Sequence, residues 1–302
     1  MKKILFVLVS YNSEKHIDNC IRSILNLNTQ LDVSIALVDN SSNDRSWEVA
    51  KKYTEKVALF QMESNVGFGR ANNYAAYMAE ADYYFIFNID AYFGHDFDLD
   101  KMVNVLESDE KVVISSTRLK YPDGTPQTSF FKYSGPIKWL IQSIPYYNVF
   151  RKTFSENLIL RSIVVAFSKN ARSYMANKKL ASVDYDFFEV EWVSGASILV
   201  RGSYVKKYGL FDEGIFLYGE DEDLCIGAHK RCFKVVQQNT HPVTHVHGWN
   251  TTSKFNPVVA RYKEDSLKFF IDKNFKDKPI SKMVMKILLP IYVRGWNHLW
   301  SR

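Results

Sequence analysis

Val33-Ser34-Ile35-Ala36-Leu37-Val38-Asp39-Asn40-Ser41-Ser42 is an apolar, β-branched run that stops at an acid, an amide and two hydroxyls. A run that is apolar without alternation predicts a strand buried on both faces, as in a parallel sheet covered by helices. Upstream, Ile4 to Val9 is a second such run, closed by Ser10-Tyr11-Asn12-Ser13. Between the two, Ile17, Ile21, Ile24 and Leu25 recur at i, i+4, i+7 and i+8, which predicts a helix with Ser13 as its cap. Downstream come a helix containing Trp47, Ala50 and Tyr53, a short strand Val57 to Phe60, and the loop Asn65-Val66-Gly67-Phe68-Gly69-Arg70. That loop opens a helix from Ala71 to Glu80, and the aromatic strand Tyr83 to Phe87 follows. Strands alternating with helices of about 10 to 15 residues predict an α/β fold with a mainly parallel central sheet and right-handed crossovers.

The pattern continues with a helix from Asp98 to Leu106, a strand from Val112 to Ser116 and the turn Tyr121-Pro122-Asp123-Gly124. Lys132 to Ser182 is aromatic, basic and without a clear period, and reads as a partly helical insertion. Order returns at Val190 to Arg201, where Gly195-Ala196-Ser197 leads into the strand-like Ile198-Leu199-Val200. An acidic cluster then begins a helix with Leu224, Ala228 and Cys232 on one side, and Val235-Val236 and His241 to His247 read as two more strands. This predicts one domain over residues 1–255, with the insertion at about 132–182, and a helical appendage at 256–302.

With 302 residues, 46% hydrophobic and 24% charged, the chain can bury a large core, which excludes a disordered protein. The opening apolar stretch spans only six residues and lacks a small-residue cleavage site, so it reads as a strand and not a signal peptide. No stretch reaches the 18 to 20 apolar residues that a spanning helix needs, and the expectation is a cytoplasmic protein. Cys20, Cys225 and Cys232 are odd in number and never at a CxxC spacing, which predicts reduced thiols and neither a disulfide framework nor a structural zinc site. The net charge of +6 is unevenly placed. Residues 132–182 carry +8 and residues 275–302 carry +5, so the rest of the chain is acidic.

In open α/β sheets ligands bind outside the carboxyl ends of the strands, so the residues that follow each strand carry the functional signal. Asp39-Asn40-Ser41-Ser42 offers an acceptor for the N3–H of a pyrimidine and further groups for ribose or phosphate, although Asp, Asn and Ser also dominate turns. The glycine loop at 65–70 fits neither a dinucleotide fingerprint nor a P-loop, because no third glycine or Gly-Lys-Ser/Thr follows. What remains is close approach of a ligand at Gly67, with Arg70 as either a diphosphate partner or a solvated charge. Asn88 and Asp90, two apart on an extended backbone, point to the same side and suit one hard cation. Glu220-Asp221-Glu222-Asp223 favours the positive end of a helix dipole, yet four acids in succession repel one another unless a cation or a proton-donating substrate sits among them. One of the four is the best general-base candidate. His245 and His247 alternate on their strand and read as structural imidazoles or as metal ligands.

Taken in order, these pieces resemble family-2 glycosyltransferases, most closely the rhamnosyltransferase-like enzymes of bacterial cell-surface polysaccharide synthesis. The series is Val9-Ser10-Tyr11-Asn12, Val38-Asp39-Asn40-Ser41-Ser42, Asn65-Val66-Gly67-Phe68-Gly69, Phe87-Asn88-Ile89-Asp90, Gly195-Ala196, Phe211-Asp212-Glu213, Tyr218-Gly219-Glu220-Asp221-Glu222-Asp223-Leu224 and His245-Val246-His247-Gly248. It covers about residues 3 to 250, and each piece is weak alone. The resemblance implies a GT-A type fold, a dTDP- or UDP-sugar donor, Mg²⁺ or Mn²⁺, and transfer with inversion to a polyprenyl-diphosphate-linked or oligosaccharide acceptor, with rhamnose as the leading sugar. It implies that Ser10, Tyr11, Asn12, Asp39, Asn40, Asn65, Gly67, Arg70 and Asn88 hold the nucleotide sugar, Asp39 at the pyrimidine. Trp192, Gly195 and Glu220 then face the acceptor, Asp221 is the base, and Asp90 with His245, or alternatively His247, binds the metal. Asn88 stands where the family has its first acid, which removes an anionic ligand.

Two rivals fit less well. A sugar-phosphate nucleotidyltransferase would carry a Gly-rich, basic loop after its first strand, and Ser10-Tyr11-Asn12-Ser13 has none. A non-catalytic carbohydrate- or nucleic-acid-binding module would use the basic insertion, but the acidic crevice would repel nucleic acid, so no nucleic-acid partner is expected. The segment from Ile280 to Trp300 mixes apolar and basic residues, consistent with an interfacial helix kinked by Pro290, with docking on the domain, or with a homodimer contact.

Overall fold

A computed structural model describes residues 1–142, 186–239, 241–246 and 257–299 of the chain. The strands in chain order are β1 (Lys3–Ser10), β2 (Asp32–Asp39), β3 (Ala58–Gln61), β4 (Tyr83–Asn88), β5 (Ala91–Tyr92), β6 (Val112–Ser116), β7 (Leu119–Lys120), β8 (Pro126–Gln127), β9 (Phe130–Phe131), β10 (Phe187–Glu189), β11 (Trp192–Val193), β12 (Ser197–Arg201), β13 (Lys234–Gln238) and β14 (Val243–His245). The helices are α1 (Ile17–Leu25), α2 (Ser46–Ala50), α3 (Phe68–Tyr77), α4 (Leu99–Ser108), α5 (Pro136–Gln142), α6 (Gly202–Tyr208), α7 (Glu220–Lys230), α8 (Pro257–Asn274) and α9 (Pro279–Leu299).

Eight strands form one twisted sheet in the order β10-β13-β6-β12-β4-β1-β2-β3. The pairs β4–β1, β1–β2, β2–β3 and β6–β13 are parallel, as the continuous apolar runs predict, whereas β12 is antiparallel to both β4 and β6. Alternate residues of each inner strand enter different cores. Ile4, Phe6 and Leu8 join Phe85, Phe87 and Phe93 under α1 and α4, while Leu5 and Val7 face α3, α6 and α7. The first of these cores holds a stacked aromatic set, with Phe6 on Phe85 at 4.8 Å and Phe87 on Phe93 at 4.4 Å between ring centroids. With both faces buried, binding chemistry is left to the strand ends.

Two helix starts differ from the sequence expectation. Ser13 does not cap α1: the residue before the helix is His16, with no side-chain bond, and the Ser13 hydroxyl donates to its neighbour's Tyr11 carbonyl at 3.0 Å. The Ser13 amide meanwhile donates to Ser46 Oγ at 2.7 Å, so this residue ties two loops together. α3 begins at Phe68, inside the glycine loop and three residues before the expected Ala71.

The expected C-terminal appendage is packed against the functional end of the sheet through α8. Ser266 Oγ accepts from both Phe216 N and Leu217 N at 3.1 Å, and Lys273 and Asn274 reach the acids of α7. A third core of Trp139, Leu267, Ile271, Met285, Leu289 and Val293 joins α5, α8 and α9.

Candidate functional site

Register places the strand-end residues along one edge. Ser10 lies level with Asp39 on β2, and Val9 lies level with Asn88 on β4. β12 starts at this same edge, since Ser197 pairs with Phe87 and Asn88 N donates to the Ala196 carbonyl at 3.1 Å. Gly195 N in turn donates to Asp221 Oδ2 at 3.0 Å. Strand register from Asp39 through Ser10 to Asn88, and hydrogen bonds from Asn88 to Ala196 and from Gly195 to Asp221, therefore line these residues along one edge. Strands are spaced about 4.8 Å apart, so the row from β2 to β12 covers about 15 Å, the length of a sugar nucleotide.

On the β1–β2 side the loops lace together. Asn12, in the left-handed region at φ 51°, donates its amide to Ser42 Oγ at 2.9 Å and accepts from Asn43 N at 2.8 Å. Asp39 is fully buried, with Oδ1 accepting from Ser42 Oγ at 2.5 Å and Oδ2 from Ser42 N at 3.2 Å. Its carboxylate thus organises its own turn here, and a base would reach it only after Ser42 turns aside. Ser10 Oγ is buried and has no hydrogen-bond partner among the described residues, while Tyr11 is exposed beside it.

Asn40 supports the next loop, accepting from Val66 N at 2.9 Å and donating to Asn65 Oδ1 at 2.9 Å, which also accepts from Gly67 N at 3.0 Å. Gly67 does permit a close approach, but to the chain's own Phe216. A Cβ there would meet the Phe216 carbonyl oxygen at 2.5 Å, and that oxygen accepts from Phe68 N at the start of α3. Arg70 is exposed and bonds the chain itself, donating from Nε to the Glu213 carbonyl at 3.0 Å.

On the other side of Asn88 a small sheet, β5-β14-β7-β8, brings a histidine across 157 positions of sequence. His245 pairs with Ala91, and its Nε2 lies 3.3 Å from Asp90 Oδ1 and 3.3 Å from Asn88 Nδ2. Gln127 Oε1 sits 2.9 Å from His245 Nδ1. When that amide oxygen accepts the Nδ1 proton, the Nε2 lone pair faces Asp90, and 3.3 Å is the separation of two ligands on one small cation. One carboxylate and one imidazole fit an ion that takes its remaining oxygens from a diphosphate. Among the described residues no three His, Cys, Asp or Glu side chains gather for a self-sufficient metal cage. His247 lies outside the described residues.

The four acids of α7 have separate tasks. Asp223 is held by Lys273 Nζ and Asn274 Nδ2, both at 2.7 Å. Glu222 accepts from the amide and hydroxyl of Ser134, the latter at 2.7 Å. Asp221 accepts from Gly195 N and, at 2.8 Å, from Glu222 N. Glu220 is buried, and its Oε2 has no hydrogen-bond partner among the described residues. Burial and the adjacent Asp221 charge push Glu220 up to about 8, and burial pushes Glu222 up to about 7. Burial also raises Asp221, opposed by the amides it accepts from and by Lys138. A buried double charge on the Glu220–Asp221 pair is disfavoured, so both carboxyls are raised.

This predicts a pH effect on stability. The folded chain binds more protons than the unfolded chain between the ordinary glutamate value of about 4.3 and the raised values near 7 and 8. Stability is fully present below that window and falls as pH rises through it. The urea midpoint is expected to be higher at pH 6 than at pH 9, with the difference reduced in Glu220→Gln. Equal midpoints would mean that these carboxyls are solvated.

Of the residues marked in the sequence, Asn88 and Asp90 both meet His245, and Gly195 touches Asp221. Trp192 stands beside them on β11, stacked on Phe131 at 4.3 Å with its Nε1 donating to the Lys132 carbonyl at 2.9 Å. Arg70 is turned to Glu213. Sequence reasoning did not single out Gln127, Ser134, Lys138 or Phe216. Ser134 and Lys138 lie at the start of the aperiodic basic segment, and Lys138 is half-buried, its pKa lowered by burial against the opposing pull of Glu222, Glu191 and Asp221.

Comparison with known proteins agrees with the geometry. Residues 6–166 match the model of Glycosyl transferase family 2. The poly(ribitol-phosphate) beta-N-acetylglucosaminyltransferase TarS of Staphylococcus aureus is 25% identical over 57% of this chain and 31% of its own length. Its crystal structure in complex with UDP-GlcNAc superposes with a TM-score of 0.55, at 15% identity, over 98% of this chain and 72% of that one. The N-acetylglucosaminyl-diphospho-decaprenol L-rhamnosyltransferase of Mycobacterium tuberculosis is 24% identical over 72% of this chain and 67% of its own. GalNAc-T7, crystallised with UDP, GalNAc and Mn²⁺, gives a TM-score of 0.58 at 12% identity, over 99% of this chain and 56% of that one. These likenesses establish a GT-A type α/β fold, while this chain spans only about a third of the length of the curated TarS protein it matches.

Proposed function

The chain belongs to glycosyl transferase family 2, and on that premise we propose that it transfers a sugar from a UDP- or dTDP-sugar to a hydroxyl of a lipid-linked or oligosaccharide acceptor, in cell-surface polysaccharide synthesis. The observation that carries this reading is the single edge on which Asp39, Ser10, Asn88 and Asp221 are joined by strand register and hydrogen bonds. Rhamnose is the leading donor sugar, by likeness to the mycobacterial rhamnosyltransferase.

The nucleotide occupies the β1–β2 end, where Ser10, Asn12 and Asn40 offer polar groups, and the sugar lies toward β4 and β12. Asp90 and His245 would hold Mg²⁺ or Mn²⁺, which neutralises charge on the leaving phosphate when bound. The acceptor hydroxyl attacks the anomeric carbon from the face opposite the diphosphate. Its oxygen forms the new bond to that carbon, the bond to phosphate oxygen breaks with its electron pair leaving on phosphate, and the acceptor proton passes to Asp221. A carboxylate raised by burial is a stronger base than an ordinary aspartate, and the Gly195 and Glu222 amides fix its orientation. Inversion at the anomeric carbon follows from this single displacement.

Calorimetry with UDP-, dTDP- and GDP-sugars tests donor class and metal together. Binding of a UDP- or dTDP-sugar is expected only with Mg²⁺ or Mn²⁺, weakened about 10- to 100-fold in Asp90→Ala and in His245→Ala. Equal affinity in EDTA would make the Asp90–His245 contact a simple ion pair.

A further inference from the structure

The outer side of α9 is apolar although its inner side already fills a core. Met285, Leu289 and Val293 are buried against α5 and α8, yet Ile280, Met283, Ile287 and Ile291 remain 76%, 58%, 65% and 52% exposed. These four recur at i, i+3, i+7 and i+11, which makes one stripe about 16 Å long at 1.5 Å per residue. α5 is stapled to α9 by the parallel stack of Trp139 on Tyr292, 4.4 Å apart, and adds Ile137 and Leu140, also exposed. A helix apolar on both sides, in a chain where no described helix is long and apolar enough to cross a membrane, is incomplete in water.

The charge around the stripe identifies what covers it. From 275 to 302 the chain carries six Lys or Arg against the single Asp277, and α9 itself contains no acid. Lys282 and Lys286 share Asp272 of α8, each at 2.7 Å, and that trio still keeps one positive charge. Lys276 and Lys278 are exposed beside it. Two copies of this chain meeting through the stripe would set like charges against like, since a two-fold interface pairs a patch with itself. An anionic bilayer supplies both the apolar layer and the opposite charge.

We infer that the outer face of α9, extended by α5, docks on an anionic lipid surface. The inference rests on the proposed transfer to a lipid-linked acceptor and adds its geometry. Pro136 opens α5 two residues after Ser134, which bonds Glu222 next to Asp221. The docking face therefore borders the acceptor side of the site, so an acceptor diphosphate emerging from the bilayer meets the base without leaving its membrane.

The test is sedimentation of the full chain with vesicles of phosphatidylcholine alone or mixed with phosphatidylglycerol, at low and high salt. Expected is binding to the anionic vesicles that weakens with salt and falls about tenfold in the triple variant Met283→Ser, Ile287→Ser, Ile291→Ser. These positions are exposed, so the variant's unfolding midpoint should match the parent's. Absent binding, equal binding by the variant, or a dimer that the same substitutions dissociate would overturn the inference. Donor calorimetry on both proteins reports separately on the transfer reading, because the vesicles contain neither donor nor acceptor.

Discussion

Asp221→Asn is expected to lower the transfer rate about 10³-fold while changing donor affinity by no more than about twofold. Asparagine has the same shape, and its amide oxygen can still accept from either Gly195 N or Glu222 N. The second of those amides then faces an NH₂ group, a local cost of about 1 kcal/mol in stability. What vanishes is a carboxylate, fixed by two backbone amides, that can accept the incoming hydroxyl's proton. The acid limb of the kcat/KM profile should vanish with it, leaving residual activity flat in pH. Glu222→Gln makes the control: Ser134 occupies that carboxylate, so its loss should lower the rate far less. Normal turnover by Asp221→Asn would move the base to another residue.

Gly67→Ala is expected to destabilise the chain by about 3 kcal/mol or more, read from urea unfolding. Its φ of 89° is one that alanine resists, and its new Cβ would stand 2.5 Å from the Phe216 carbonyl oxygen and 2.8 Å from the ring. Neither can step aside cheaply, because that carbonyl accepts from Phe68 N and the Phe216 amide is held by Ser266. Gly124→Ala isolates the conformational part, since Gly124 has a φ of 85° but open space around it, and should cost about 1 kcal/mol. Equal losses at the two positions would show that the 216 loop yields.

The parallel half of the sheet was legible because strands buried on both faces must be continuous apolar runs, and the acids closing them marked the edge. Asn88, Asp90 and His245 could be selected from the sequence, and the family resemblance pairs Asp90 with His245, but the strands that bring them together could not be read from it. Those strands are β5, β7, β8 and β14, each two or three residues long and too short to show a period. The reversal of β12 was equally hidden: Ile198 to Val200 reads as a buried strand in either direction, and only its pairing to Phe87 brings Gly195 beside Asp221. Ser13 misled because a serine before a helix looks the same whether it caps that helix or ties down a neighbouring loop. At Gly67 the sequence shows that space is required, but not that the chain's own Phe216 approaches there.

The seams between α8 and the site bear on any attempt to exchange parts among such enzymes. Ser266 fastens the 216–217 backbone, and Lys273 fastens Asp212 and Asp223 together, at 2.5 and 2.7 Å. A chimera that joins this sheet to foreign C-terminal helices would inherit the reacting groups but lose the fixture that aligns them. Swapped modules should therefore be cut so that residues 211–223 travel with α8, as one inseparable cassette.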